Sequence, residues 1–196
     1  MASPDRLENR YTAVAIALHW LIAIAILTIA VIGLVMTHVK LAPLMLFKLY
    51  QLHKSIGITI LALAVLRILW RLTHRPPALP AHMPPLEKKA AEGTHVLLYA
   101  LMLGLPLVGW AVVSASPLNI PTVLYGVFPW PHLPMPPGVS KATLAPILGM
   151  IHAYGAYVLI ALVALHGAAA LRHHILIRDD VLRRMIPGLP QPKRTP

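Results

Sequence analysis

Four apolar runs, each long enough to cross a lipid bilayer, constrain this chain more than any other feature. They lie at about Ala13 to Thr37, Tyr50 to Leu72, Thr94 to Ser114 and Pro146 to Leu171. Each supplies roughly the 20 residues that a helix rising 1.5 Å per residue needs to span about 30 Å of hydrocarbon. In lipid a segment must satisfy its own backbone polar groups, so the runs are read as helices and the chain as an all-α, integral membrane four-helix transmembrane bundle. A content of 58% hydrophobic and 12% charged residues, with mean hydropathy +0.71, supports the same class. Four spans joined by modest loops account for residues 1–196 as a single transmembrane domain with no room for a second globular unit.

The first run is about 25 residues long, beyond the 7 to 15 of a secretory signal, and no small-x-small cleavage site precedes Lys40, so it is expected to remain as a helix. Cysteine is absent from the sequence, which removes disulfides, thiolate catalysis and iron–sulfur ligation. The formal charge of +11 is not a nucleic-acid stripe, because the basic residues gather at helix ends. Arg6 and Arg10 precede the first run; Arg71, Arg75, Lys88 and Lys89 lie around the second loop; Arg172, Arg178, Arg183, Arg184, Lys193 and Arg194 follow the last run. Only Lys40, Lys48, Lys54 and Lys141 lie at the opposite helix ends. The positive-inside bias then places both termini and the middle loop in the cytoplasm, with the first and third loops outside. Prolines in the third loop, from about Ala115 to Ala145, argue for an irregular cap over the outer face, with Tyr125 and Trp130 at headgroup level. The cytoplasmic segment RPPALPAHMPP reads as an extended connector, and no internal repeat is present.

Histidines inside the runs carry the chemistry. His152 and His166 are fourteen residues apart in the last run, almost four turns, so both imidazoles leave one helix face about 21 Å apart. His19 lies about 9 Å above the cytoplasmic start of the first run and His166 about 8 Å above the cytoplasmic end of the fourth. His53 and His152 lie about 5 and 9 Å below the outer starts of their runs. Depth therefore pairs His19 with His166 and His53 with His152. Two imidazoles complete a six-coordinate, low-spin haem iron, so the pairs read as two stacked haem sites, noncovalent because no attachment cysteine exists. For any one histidine, a simple interhelical hydrogen bond is the alternative. A zinc or copper site is a rival reading, weakened by the distance between pairs and the lack of an intramembrane carboxylate or cysteine. A histidine-lined transporter without haem is a further rival, but the sequence offers no broken helices.

Haem propionates need cationic partners. Arg67, fourteen residues after His53, shares its helix face at the inner level and is the expected inner propionate or quinone partner, with Arg71 one turn beyond; both also suit snorkelling. Lys54 and Lys141 are the outer candidates. Gly57, Gly149 and Gly155 near the outer histidines suit either a flat macrocycle or close helix packing. His95, His173 and His174 sit at the inner ends, where each suits a quinone carbonyl or proton transfer; snorkelling is an equal reading for His173 and His174. His38, His74, His82 and His132 receive no role.

The stretches RYTAVAIALHW, LHKSIGITILALAVLRILWR, HVLLYALMLGLPLVGW, HAYGAYVLIALVALHGAAALRHH and DDVLRRMIP, in this order and spacing, resemble the bacterial cytochrome b561 family over nearly the whole chain. The resemblance implies a four-helix bundle with two haem b groups, and its axial ligands fall on His19, His53, His152 and His166. It also implies electron exchange with quinone. Some members are superoxide:quinone oxidoreductases, oxidising superoxide outside and reducing ubiquinone in the membrane; others resemble the cytochrome subunit of nickel hydrogenases and serve a periplasmic redox protein. The expectation is electron entry at the outer site, transfer to the inner one, and uptake by ubiquinone near Arg67, Arg71, His95, His173 and His174.

Overall fold

Each apolar run folds as one continuous helix, longer than the run itself. The computed structural model describes residues 10–80, 83–134, 140–186 and 188–189. It contains α1 (Ala13–His38), α2 (Pro43–Thr73), α3 (Pro85–Ala115) and α4 (Lys141–Arg172), each long and apolar enough to cross a membrane. Arg6, His82, Lys193 and Arg194, used in the charge and histidine readings, lie outside the described residues.

Three helices begin earlier than the sequence suggested: α2 at Pro43 instead of near Tyr50, α3 at Pro85 instead of Thr94, and α4 at Lys141 instead of Pro146. Apolarity marks where lipid begins, whereas a helix starts where its first turn is tolerated. Pro43 and Pro85 occupy that first turn, where a missing N–H leaves no helical bond unmade. Glu87, Lys88, Lys89 and Glu92 then carry α3 through a polar stretch before its apolar part. The start of α1 agrees with expectation. Thr12 caps it, its Oγ1 accepting from the Ala15 N–H at 3.2 Å, and the same hydroxyl accepts the Trp70 indole N–H at 2.9 Å. That contact ties the start of α1 to the end of α2.

Close backbone packing joins chain-consecutive helices: α1 with α2, α2 with α3, and α3 with α4. Ile22 and Ile26 of α1, Ile60 and Ala64 of α2, Met102 and Leu105 of α3 and Leu159 of α4 form the buried core at mid-height. Large apolar residues such as Leu21, Ile24, Leu27 and Val31 face outward instead, a surface suited to lipid tails and not to water. Pro106 stands inside α3, tolerated as prolines are in membrane helices whose freed carbonyls find other partners.

The segment between α3 and α4 is more regular than an irregular cap. Thr122–Leu124 (β1) and Phe128–Trp130 (β2) pair as an antiparallel hairpin. Tyr125 and Gly126 turn at φ 52° and 73°, and the Val127 N–H donates to the Leu124 carbonyl at 3.0 Å. Pro129 fits because every strand of a two-stranded ribbon is an edge. The hairpin docks on α2: Gln51 donates to the Pro121 carbonyl at 2.9 Å, the Tyr125 N–H donates to Ser55 Oγ at 2.9 Å, and Thr59 and Tyr125 hydroxyls meet at 2.6 Å. These three α2 residues recur every four positions, one face of the helix. We call this the hairpin end of the bundle.

At the opposite, tail end, α4 runs into a π-helical turn, His173–Ile177, and the chain reverses at Arg178, φ 58°. A 3₁₀ turn, Leu182–Arg184, follows. The Trp20 indole donates to the Met185 carbonyl at 2.8 Å and Arg184 donates to the Ala78 carbonyl, so the tail is fastened to α1 and to the connector between α2 and α3.

Candidate functional site

One spacing repeats on all four helices. Fourteen residues separate His19 from Gly33 on α1, His53 from Arg67 on α2, His95 from Gly109 on α3 and His152 from His166 on α4. Almost four turns apart, the two members of each pair share a face about 21 Å apart along the axis. The bundle thus presents two four-residue levels: Gly33, His53, Gly109 and His152 toward the hairpin end, and His19, Arg67, His95 and His166 toward the tail end. The buried core of Ile22, Ile26, Ile60, Ala64, Met102, Leu105 and Leu159 lies between them as an apolar layer.

At the hairpin level the His53 and His152 rings stand 6.0 Å apart, centroid to centroid, at 72°. At the tail level His19 and His166 stand 6.2 Å apart at 64°. Imidazoles on opposite sides of one metal ion, each at the roughly 2 Å of a metal–nitrogen bond, hold their centroids at about this separation. Counted from the helix starts, His53 and His152 lie deeper than counted from the apolar runs, about 15 and 16 Å in, but both shift together and their level is shared.

Glycine seats the hairpin-level rings. A Cβ on Gly109 would stand 2.9 Å from His152 Cε1, and one on Gly33 would stand 3.4 Å from His53 Cε1. His152 Nδ1 lies 3.1 Å from the Leu105 carbonyl; donation from Nδ1 to that oxygen leaves Nε2 as the free ligand nitrogen. His53 Nδ1 is buried with no hydrogen-bond partner among the described residues. Both histidines line a cavity of about 390 Å³, within the range of cofactor pockets, together with Gly33, Gly57, Gly109 and Gly149. Of the three glycines singled out in the sequence, Gly57 and Gly149 line this cavity. Gly155 instead admits Leu105, whose Cδ2 would lie 2.5 Å from an added Cβ, so it serves the α3–α4 contact.

The tail level is polar. His95 packs against His166 at 5.4 Å, making three converging histidines. Arg67 lies close enough to His19, His95 and His166 to act on all three electrostatically. Its Nε donates to the Tyr99 hydroxyl at 3.0 Å and its guanidinium to the Ala15 carbonyl at 3.1 Å, while Arg71 sits over the Tyr99 ring at 5.7 Å. Arg10, Arg67, Arg71, Arg75, Trp70 and Tyr99 share a basin of about 50 Å³.

Other expected residues are placed differently. Lys54 lines the hairpin-level cavity, 3.5 Å from the Pro121 carbonyl, whereas Lys141 stands exposed at the start of α4 and is not part of that wall. His173 does not snorkel: it is 8% exposed and held 2.6 Å from the Asp179 carboxylate, in the reversal of the tail. His74 stacks on Trp70 at 3.9 Å. Trp130, expected at headgroup level, packs against Trp110 and lines the cavity. Gly33, Gly109 and Tyr99 escaped the sequence reading; for the two glycines the fourteen-residue offset from His19 and His95 was the signal.

A sequence profile of the prokaryotic cytochrome b561 family matches residues 10–188. Cytochrome b561 homolog 2 of Escherichia coli strain K12 is 32% identical over 178 residues, covering 91% of this chain and 92% of that protein. A probable superoxide oxidase CybB of Yersinia pestis is 28% identical over 190 residues, covering 92% and 98%. Cytochrome b561 homolog 1 of Escherichia coli is 27% identical over 180 residues, covering 91% and 98%. With its four membrane helices and its paired histidines at two levels, the chain belongs to the prokaryotic cytochrome b561 family of haem-binding, electron-transferring membrane proteins.

Proposed function

We propose that the protein binds two haem b groups, one between His53 and His152 and one between His19 and His166, and moves single electrons from superoxide at the hairpin side to quinone in the membrane. The carrying observation is the pair of matched ring separations, 6.0 and 6.2 Å, on either side of an apolar layer. When bound, haem b supplies a reversible one-electron couple. The chain does the rest. His152 keeps Nε2 toward its partner through its Nδ1 contact with Leu105, and the core layer keeps water out between the levels.

Charge favours an anionic donor at the hairpin end. The sequence there, residues 38–54 and 115–145, contains Lys40, Lys48, Lys54 and Lys141 and no Asp or Glu. Uncompensated cations raise the local concentration of a small anion and fall in effect with salt. A relative bearing the name probable superoxide oxidase supports the same donor. Two superoxide anions release two O₂ and two electrons; quinone takes up both electrons with two protons to become quinol. Arg67, Arg71, Tyr99 and His95 place cations and proton-bearing groups at the tail level, where a quinone carbonyl needs both. His173, paired with Asp179, stands at the far end of α4 as a further proton-bearing group. In this reading the protein sits in the bacterial inner membrane with both termini cytoplasmic, as the arginines of the tail end direct.

A second reading, a cytochrome subunit serving a periplasmic protein, draws on one observation: the hairpin tip presents Tyr125, Val127 and Phe128 largely exposed. Stopped-flow mixing of the purified holoprotein with superoxide and, separately, with quinol distinguishes the two. Rapid reduction by superoxide at a salt-sensitive rate supports the proposal, and a protein reduced by quinol but inert to superoxide supports the second reading.

A further inference from the structure

The hairpin has a feature that docking alone does not require. Trp130 belongs to β2, and its indole Nε1 is buried without a hydrogen-bond partner among the described residues. Trp110, against which it packs at 5.4 Å, has its own N–H satisfied by the Pro131 carbonyl at 2.8 Å. Trp130 also lines the hairpin-level cavity together with His53, His152 and Lys54. A buried indole N–H left unmatched costs free energy, so its environment is expected to supply an acceptor.

The walls of this cavity decide which acceptor. Toward the bundle centre they are Ile26, Ile29, Ile60, Met102, Leu105 and Leu159, apolar throughout. Lys54 and Trp130 lie at the end covered by the hairpin, where Lys54 Nζ reaches the Pro121 carbonyl just before β1. Haem b carries its charge on two carboxylates along one edge of an otherwise apolar disc. An apolar wall rejects that edge, and a cation with a free N–H accepts it.

We infer that the hairpin is part of the haem site, with the Trp130 N–H donating to a carboxylate of the haem held by His53 and His152, beside the Lys54 ammonium. The inference rests on the proposed assignment of haem to that pair. Both neighbouring helices hold the hairpin in the required position. Gln51, Ser55 and Thr59 fasten its β1 side to α2, while Trp110 and Ser114 of α3 fasten the chain after β2, Ser114 Oγ accepting from the Leu133 N–H at 2.9 Å.

The test uses the full-length holoprotein and Trp130→Phe, which keeps an aromatic ring and removes only the donor. Two quantities are read: the midpoint potential of the hairpin-level haem and its transfer rate to excess apomyoglobin. A charge-assisted hydrogen bond is worth roughly a ten-fold change or more in such an equilibrium. Trp130→Phe is therefore expected to release this haem about ten-fold faster and to lower its potential, leaving the tail-level haem at its wild-type value. Reconstitution with haem b dimethyl ester, whose neutral ester carbonyls accept only an uncharged hydrogen bond, is expected to shrink the difference between wild type and Trp130→Phe.

Equal potential and release rate in wild type and Trp130→Phe overturn the inference, as does a difference that the dimethyl ester leaves undiminished. A wild-type protein that never holds haem at His53 and His152 overturns the underlying assignment instead, and is recognised before any variant is compared.

Discussion

The hairpin end and the tail end are built on the same four helix faces, yet they are filled in opposite ways. Toward the hairpin, two of the four positions are glycine, and the result is space: a cavity of about 390 Å³ with seated rings and Lys54 as the cation on its wall. Toward the tail, the equivalent positions are His19 and His95, and the result is chemistry: three histidines, a guanidinium bonded to Tyr99, and a basin of about 50 Å³ lined by arginines. One architecture thus provides a roomy level and a polar level, in the proposed reading a sheltered one and an exchanging one, and the residues that separate them are Gly33 and Gly109 against His19 and His95.

Removing a ligand should break the comparison most completely. His53→Ala or His152→Ala is expected to delete the hairpin-level haem and spare the other, while His19→Ala or His166→Ala does the reverse; resolved redox titrations of each purified variant read the grouping. Loss patterns that join His19 with His53 would contradict the two-level arrangement. The exchanging role of the tail end is tested next. Arg67→Ala and His95→Ala should each slow quinone reduction by roughly ten-fold, the worth of a lost charge-assisted contact. If both react at the wild-type rate while Lys54 variants fail, quinone exchanges at the hairpin level.

How much of this was legible in the sequence depends on what each residue does. The four helices and the histidine pairs were legible because lipid imposes length and because a fourteen-residue spacing fixes a shared face. Helix starts were not, since Pro85 opens a helix in polar sequence that apolarity does not mark, and Lys48 breaks the short apolar stretch that follows Pro43. Gly33 and Gly109 carry no chemistry of their own and gain meaning only when a ring from another helix fills the space above them. The hairpin was hidden by its prolines, which argue against a central strand but not against an edge. The cavity-lining position of Trp130 was not legible either: an aromatic in an outer loop ordinarily marks the interface, and nothing in the sequence shows that Trp130 pairs with Thr122 and packs on Trp110.

Two smaller effects sharpen the contrast between seated and exchanging levels. Gly109→Ala brings a methyl to 2.9 Å from the His152 ring, an overpacking expected to cost about 1–3 kcal/mol and to accelerate loss of the hairpin-level haem. Gly104→Ala on the same helix, where an added Cβ meets nothing within 4 Å, should leave retention unchanged. Smaller still, Ser55→Ala removes the acceptor of the Tyr125 N–H and should loosen the hairpin by about 1 kcal/mol, read as faster proteolysis of the segment between α3 and α4 without loss of either haem.

The central claim, that each level holds its own cofactor, is tested most directly by a pyridine haemochrome assay on the purified wild-type chain, scaled to protein by amino-acid analysis. The account predicts two noncovalent haem b groups per chain. A ratio of one would leave a histidine pair without a cofactor, and a ratio near zero would contradict the account outright.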